Sequence, residues 1–89
     1  MKTAHFFIAG VVQKIGFRSF ARDSAVKLGL KGVVRNMKDG RVEVVAQGDA
    51  EAMESLERLL WRGARDADVF SVDVEWADEP AFMRFDIEF

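Results

Sequence analysis

The sequence predicts an α+β fold in which two helices cover one face of an antiparallel sheet. Five segments have the apolar or β-branched patterns of strands, and two others carry apolar residues at helical spacing. Along the chain these segments follow one another as strand, helix, strand, strand, helix, strand, strand. With 89 residues, 49% of them hydrophobic, the chain suits one compact domain, so we expect residues 1–89 to fold as a single unit.

A change of period marks the first strand and the first helix. Alternate residues of the segment 3–12 are expected to face the core, namely Ala4, Phe6, Ile8, Gly10 and Val12. From residue 17 the apolar spacing becomes helical, and Gly29 stands where such a helix would end. The residues that define this helical face are Phe17, Phe20, Ala21, Ala25 and Leu28.

A hairpin is expected to follow the first helix. Residues 32–36 form a short β-branched run, and residues 41–46 alternate with period two. The turn between them contains Asp39 and Gly40, an Asp-Gly pair that is typical of tight hairpins.

The second helix begins after Asp49, a residue suited to capping, and ends at Gly63. Its inward residues are expected to be Met53, Leu56, Leu59 and Leu60. Two further segments, one before and one after the break at Pro80, then show the apolar–polar alternation of strands. Their inward residues are expected to be Phe70, Val72, Val74 and Trp76 in the first, and Met83, Phe85, Ile87 and Phe89 in the second.

The order βαββαβ in a short chain favours the ferredoxin-like sandwich, with an antiparallel sheet, both helices on one face and here an extra C-terminal strand. A right-handed first crossover places residues 13–18 at one end of the sheet. A helix N-terminus then points out of that end, and such ends bind anions.

Charge is distributed unevenly along the chain, although the formal net charge is only −2. Up to Arg41 there are nine Lys or Arg against two acidic residues, and the remainder has four against thirteen. Either the basic residues share a surface that attracts anions, or the two halves simply carry ordinary solvated faces.

The compartment is suggested by what the sequence lacks. There is no cysteine, so no disulfide requires an oxidising environment. The N-terminal apolar run is too short for a signal peptide, and no later stretch has the length to cross a bilayer. We expect an unprocessed, soluble, cytoplasmic protein, a monomer without membrane or nucleic-acid partners.

Two positions are candidates for chemistry on physical grounds. The peptide N–H groups of the segment 13–18 can converge on phosphate oxygens, and Arg18 adds a permanently charged fork of donors. Asn36, before the hairpin turn, has an amide that both accepts and donates hydrogen bonds to water. Either residue alone is more often structural.

The segment from Gly10 to Phe20 resembles the acylphosphatase signature, a Gly-x-Val-Gln-Gly-Val-Gly-Phe-Arg pattern. Residues 25–36, residues 39–44 and Gly48 are similar to the family's other signature and to its spacing. The likeness continues through the second helix and becomes loose in the last strand.

This resemblance implies a metal-independent hydrolase without a cofactor or a phosphoryl-enzyme, which converts acyl phosphates to carboxylate and inorganic phosphate. It implies that Arg18 and the loop N–H groups bind the phosphoryl group and that Asn36 positions the attacking water. The residues of the implied phosphate-binding loop are Gln13, Lys14, Ile15, Gly16 and Phe17. Positioning and charge stabilisation are sufficient because the carboxylate leaving group is weakly basic.

Lys14 stands where the family usually has glycine. If the backbone there is left-handed, a lysine costs on the order of 1 kcal/mol. Its ammonium would equally add a positive charge near the phosphate, and the sequence does not decide between the two effects. The chain also ends Ile87-Glu88-Phe89 where many members end with Arg-Tyr, a change expected to affect stability more than activity.

Two other functions compete with the enzyme. One is an acylphosphatase-like module impaired by Lys14, which would bind phosphate, carbamoyl phosphate or a protein. The other is an RNA-binding ferredoxin-like domain, but the strand 41–47 has no aromatic residue for base stacking, and the acidic C-terminal half would repel phosphates. His5 is expected on the open sheet face without a catalytic role.

Overall fold

The computed structural model describes residues 2–89 and contains all seven predicted elements. In chain order they are β1 (Lys2–Val11), α1 (Phe17–Lys27), β2 (Lys31–Asn36), β3 (Val42–Gly48), α2 (Ala50–Arg62), β4 (Asp68–Ala77) and β5 (Phe85–Glu88). The last strand is shorter than the sequence pattern predicts. Met83 precedes it and is 86% exposed, and Phe89 follows it and is 96% exposed, so the prediction that these two residues face inward was wrong.

The strands form one sheet in the order β4-β1-β3-β2-β5. The first four strands pair antiparallel, which confirms the ferredoxin-like prediction, and β5 adds a parallel pairing with β2 at the far edge. The sheet is therefore mixed. The segment 78–84 carries the chain from the β4 edge to the β5 edge, so β5 starts at the sheet end where β4 finishes.

The core lies between the sheet and the two helices. Phe6 and Ile8 of β1 are fully buried there, together with Phe17 of α1 and Leu56 and Leu60 of α2. The predicted inward faces of the first strand and of both helices are largely confirmed. Among the described residues the exception on α2 is Leu59, which is only partly buried.

A β-bulge interrupts the alternation of β4. Ala9 pairs with Ser71 and Gly10 with Val69, so Phe70 is left without a partner on β1. The extra residue reverses the pattern, and Phe70 points outward with 66% of its surface exposed, contrary to the prediction. Glycine is required opposite the bulge, because a Cβ at residue 10 would lie 2.1 Å from the Asp68 carbonyl oxygen.

The predicted inward position of Trp76 was also wrong. This side chain lies near the end of the edge strand β4 and is 60% exposed. The Lys2 ammonium lies 5.5 Å from the centre of its ring.

The segment 78–84 covers part of the sheet face that lies opposite the helices. The Gln47 side chain donates to the Glu79 and Pro80 carbonyls, and its Oε1 accepts from the Phe82 N–H at 2.8 Å. As a result Gln47 is only 2% exposed, and β3 is buried on both faces. His5 lies on this face, as predicted.

No helix within residues 2–89 is both long enough and apolar enough to span a bilayer.

Candidate active site

The C-terminal ends of β1, β2 and β5 lie at the same end of the sheet. This follows from the pairing, because β3 runs antiparallel to both β1 and β2, and β5 runs parallel to β2. The β1–α1 connection, the end of β2 and the last residues of the chain therefore meet in space.

Two left-handed residues turn the chain from β1 into α1. Lys14 has φ 64° and Gly16 has φ 77°, so the turn requires at both positions a backbone conformation that glycine adopts most easily. The left-handed conformation considered for Lys14 is thus present in the structure.

The N-terminus of α1 carries an uncompensated positive potential. Gly16 is its N-cap, no side chain bonds to the exposed N–H groups, and no acidic residue lies in the first turn. Helices favour carboxylates at this end, yet here the first turn carries Arg18. The arrangement suits an external anion.

A small pocket of about 80 Å³ opens at this end of the sheet. It is much smaller than the pockets of about 300–1,000 Å³ that hold drug-sized ligands. Five of the predicted site residues line it, namely Lys14, Gly16, Phe17, Arg18 and Asn36. Four further lining residues were missed, namely Val12, Ser19, Ile87 and Phe89.

The other two predicted loop residues lie outside the pocket lining. Gln13 Nε2 donates to the Met37 carbonyl at 2.8 Å and to the Arg41 carbonyl at 2.9 Å. Its side chain therefore ties the loop to the hairpin that follows Asn36. Ile15 packs partly buried against the core.

The C-terminal segment fixes the position of the Arg18 guanidinium. Arg18 Nη1 donates to the Glu88 carbonyl at 3.2 Å, and the Phe89 ring centre lies 4.7 Å from Arg18 Cζ. Within the described chain Arg18 forms no ion pair. Its charge and most of its donors are thus available to a ligand.

Asn36 has a buried acceptor that is not used by the protein. Its Oδ1 has no hydrogen-bond partner in the structure. Leaving a buried acceptor unsatisfied costs about 1–3 kcal/mol, so such an atom in a pocket marks a place where a donor such as water would bind.

The residue before Asn36 joins three strands. Arg35 bonds to Glu43 Oε1 of β3 at 2.7 Å and to Glu88 Oε2 of β5 at 3.2 Å. The hydrogen bond that Arg35 donates to Glu43 raises the pKa of Arg35 above its usual value, against the opposite effect of burial. This pairing holds β2 and β5 together next to the pocket.

In the structure, ion pairs neutralise part of the positive charge of the basic half of the chain. Arg22, Arg35 and Arg41 each pair with a nearby carboxylate. Lys14 and Arg18 share the pocket. Of the basic residues in the first half of the chain, these two are the ones that line this pocket.

Within residues 2–89, no group of three or more His, Cys, Asp or Glu residues is arranged to hold a metal ion.

Comparison with known proteins extends the resemblance seen in the signatures. The family model Acylphosphatase matches residues 4–87. The chain is 46% identical over 87 residues to an acylphosphatase of Pelotomaculum thermopropionicum, covering 97% of this chain and 95% of that one. It is 45% identical over 80 residues to one of Nitrosococcus oceani, covering 90% of each chain. The crystal structure of acylphosphatase from Bacillus subtilis superposes over 100% of both chains with a TM-score of 0.96 at 32% identity.

Proposed function

Because the chain belongs to the acylphosphatase family, we propose that the pocket at the ends of β1 and β2 is the site where an acyl phosphate is hydrolysed. The activity is that of an acylphosphatase, which cleaves the carboxyl–phosphate bond to give a carboxylate and inorganic phosphate. One observation carries the assignment of the site. A cation without an ion-pair partner, an uncapped helix N-terminus and a buried unpaired acceptor share a small pocket.

Arg18 and the first N–H groups of α1 bind the phosphoryl oxygens. The guanidinium offers several donors in one plane, a geometry that matches two phosphate oxygens and strengthens each bond through its charge. Because Glu88 and Phe89 already hold this side chain, little reorganisation is needed when charge develops on the equatorial oxygens.

Asn36 positions the attacking water. Its unpaired Oδ1 accepts a hydrogen bond from the water, which leaves a lone pair of the water oxygen free to attack phosphorus. The bond to phosphorus forms as the bond to the carboxylate oxygen breaks, and the leaving carboxylate takes the bonding electrons. Since this leaving group is weakly basic, it departs without a general acid, and the protons of the attacking water pass to the phosphate product or to solvent. We propose that neither a general base nor a metal is needed.

The alternative of an impaired module depends on Lys14. The left-handed backbone at this lysine is a source of strain, which favours impairment. Two observations argue against impairment. The loop still makes the turn into α1, and the pocket with Arg18 and Asn36 is formed. The geometry therefore favours the active enzyme.

Further proposals concern the compartment, the oligomeric state and the partners of the protein. We propose a cytoplasmic monomer that acts on small-molecule acyl phosphates and has no nucleic-acid partner. The lack of cysteine supports the proposed compartment, and the lack of a stacking platform on β3 supports the absence of a nucleic-acid partner. Light scattering that gave twice the chain mass of 10.0 kDa would contradict the monomer.

The test of the site is hydrolysis of benzoyl phosphate in the presence of a chelator. We expect turnover by the wild type and losses of about 10²-fold or more in kcat for Arg18→Ala and Asn36→Ala. Arg22→Ala is the matched control, because Arg22 lies on the same helix, is exposed and, among residues 2–89, pairs only with its neighbour Asp23. It should retain wild-type activity. A folded wild type without turnover would contradict the proposal and favour the binding module.

A further inference from the structure

Lys14 lines the same pocket as Arg18, and its side chain is exposed to solvent. In the described part of the chain it makes no ion pair and no side-chain hydrogen bond. The pocket thus contains a second positive charge that no protein carboxylate neutralises. The side chain is long and flexible, and its head is free to reach a ligand bound beside it.

The backbone of Lys14 is also unusual. Among the described residues it is the single non-glycine residue with positive φ, while seven glycines share that property. Lysine has no local hydrogen bond that favours this conformation, unlike asparagine or aspartate. Strain of this kind is concentrated at functional sites, where the side chain or the turn contributes to binding.

We propose that the Lys14 ammonium is a second cationic ligand of the phosphoryl group, which strengthens the binding of substrate and of product phosphate. The proposal rests on the proposed function of the pocket. The two cations have different roles because they are held differently. Arg18 is fixed by the C-terminal segment and acts where charge develops, whereas the mobile Lys14 binds ground state and transition state about equally.

Equal stabilisation of both states has a specific kinetic signature. Removing the ammonium should raise KM and the inhibition constant of inorganic phosphate, and should leave kcat within about two-fold. The expected change in affinity is about three- to ten-fold, as for one exposed unit charge near an anion. It should shrink as salt rises from about 0.05 M to about 0.5 M, because exposed charges are screened.

The experiment compares Lys14→Gln, Lys14→Gly and Lys14→Arg with the wild type, using inorganic phosphate as a competitive inhibitor of benzoyl phosphate hydrolysis. Glutamine removes the charge and keeps the strained backbone, whereas glycine removes both. Equal weakening in these two variants, with affinity retained in Lys14→Arg, is the expected result.

Lys27→Gln is the matched control. Lys27 is exposed in the last turn of α1, about 16 Å from the helix start, so it undergoes the same charge change away from the pocket. Its phosphate inhibition constant should equal that of the wild type. An equal loss in this control would show a general charge effect and would overturn the role of Lys14.

Two failures are distinguishable. If Arg18→Ala abolishes turnover while the Lys14 variants bind phosphate as tightly as the wild type, the Lys14 proposal is wrong and the proposed function stands. If Arg18→Ala keeps full turnover, the site itself is wrong and both proposals fall.

Discussion

At the residue scale, we propose that the geometry of Arg18 matters as much for activity as its charge. The guanidinium donates to the Glu88 carbonyl and lies against the Phe89 ring, so its planar fork has a defined orientation. A lysine at this position would supply a positive charge without the fork or the stacked plane.

We therefore expect Arg18→Lys to lose about 10²-fold or more in kcat/KM, even though the charge is kept. Initial rates with benzoyl phosphate measure this, and circular dichroism confirms that the variant is folded. Activity close to that of the wild type would show that charge alone is sufficient.

At Asn36, a substitution is expected to affect activity and stability differently. Its buried Oδ1 has no partner among residues 2–89, so removing the amide breaks no hydrogen bond of this oxygen within the folded protein. Asn36→Ala should therefore be inactive and yet at least as stable as the wild type. Urea denaturation measures the free energy of unfolding. A loss of stability above about 1 kcal/mol would show that the amide has a structural role.

Lys14→Gly should stabilise the protein. The left-handed backbone costs a lysine about 1–2 kcal/mol, and the greater freedom of glycine in the unfolded chain cancels part of that. A net gain of about 0.5–1 kcal/mol in the free energy of unfolding is expected from chemical denaturation. A variant less stable than the wild type would mean that Lys14 contributes contacts that outweigh the strain.

At the element scale, the His5 side chain connects the segment 78–84 to the sheet. Its Nδ1 lies 2.9 Å from Glu43 Oε2 of β3, and its Nε2 lies 2.5 Å from Glu79 Oε2. Both nitrogens face acceptors, and Glu75 is its cross-strand neighbour on β4. Burial lowers the pKa of His5, but the bonds and charges of Glu43 and Glu79 outweigh it and raise the pKa above 6.5.

A raised pKa makes stability depend on pH. The bridge contributes fully below pH 6.5, and its contribution is lost as pH rises through the raised pKa of the folded state. The free energy of unfolding should therefore fall as pH rises above 6.5 and through the raised pKa of His5, and His5→Gln should show a smaller fall. Identical pH dependence in the two proteins would exclude this bridge as the cause.

The contribution of Glu43 to stability changes with pH in the opposite sense to that of His5. Burial alone would raise its pKa, but hydrogen bonds from His5 and Arg35 lower it below 4.5. Its contribution to stability is thus present above pH 4.5 and is lost on acidification through the lowered pKa.

The helices and strands were predictable from local patterns in the sequence. The irregularities that depend on contacts between distant segments were not. The switch from alternation to helical spacing near Phe17 depends on neighbouring residues, so it is visible in the sequence. The outward turn of Phe70 depends on a bulge opposite Gly10, some 60 residues earlier in the chain. The parallel pairing of β5 likewise depends on the path of the segment 78–84.

At the scale of the whole molecule, the topology creates the pocket. Three strands that are separate in sequence bring their C-terminal ends to one side, where Arg18, Asn36 and Phe89 line one pocket. The signatures identified the first two residues. The contact of Phe89 with Arg18 is not encoded in any local pattern, because it requires β5 to lie beside β2.

In the proposed mechanism, water attacks phosphorus in a pocket built from Arg18 and Asn36. The most direct test is enzymatic hydrolysis of benzoyl phosphate in ¹⁸O-labelled water, with spontaneous hydrolysis subtracted and both products analysed by mass spectrometry. We expect the label to enter inorganic phosphate and benzoate to stay unlabelled. Label in benzoate would mean attack at the carbonyl carbon and would contradict the mechanism.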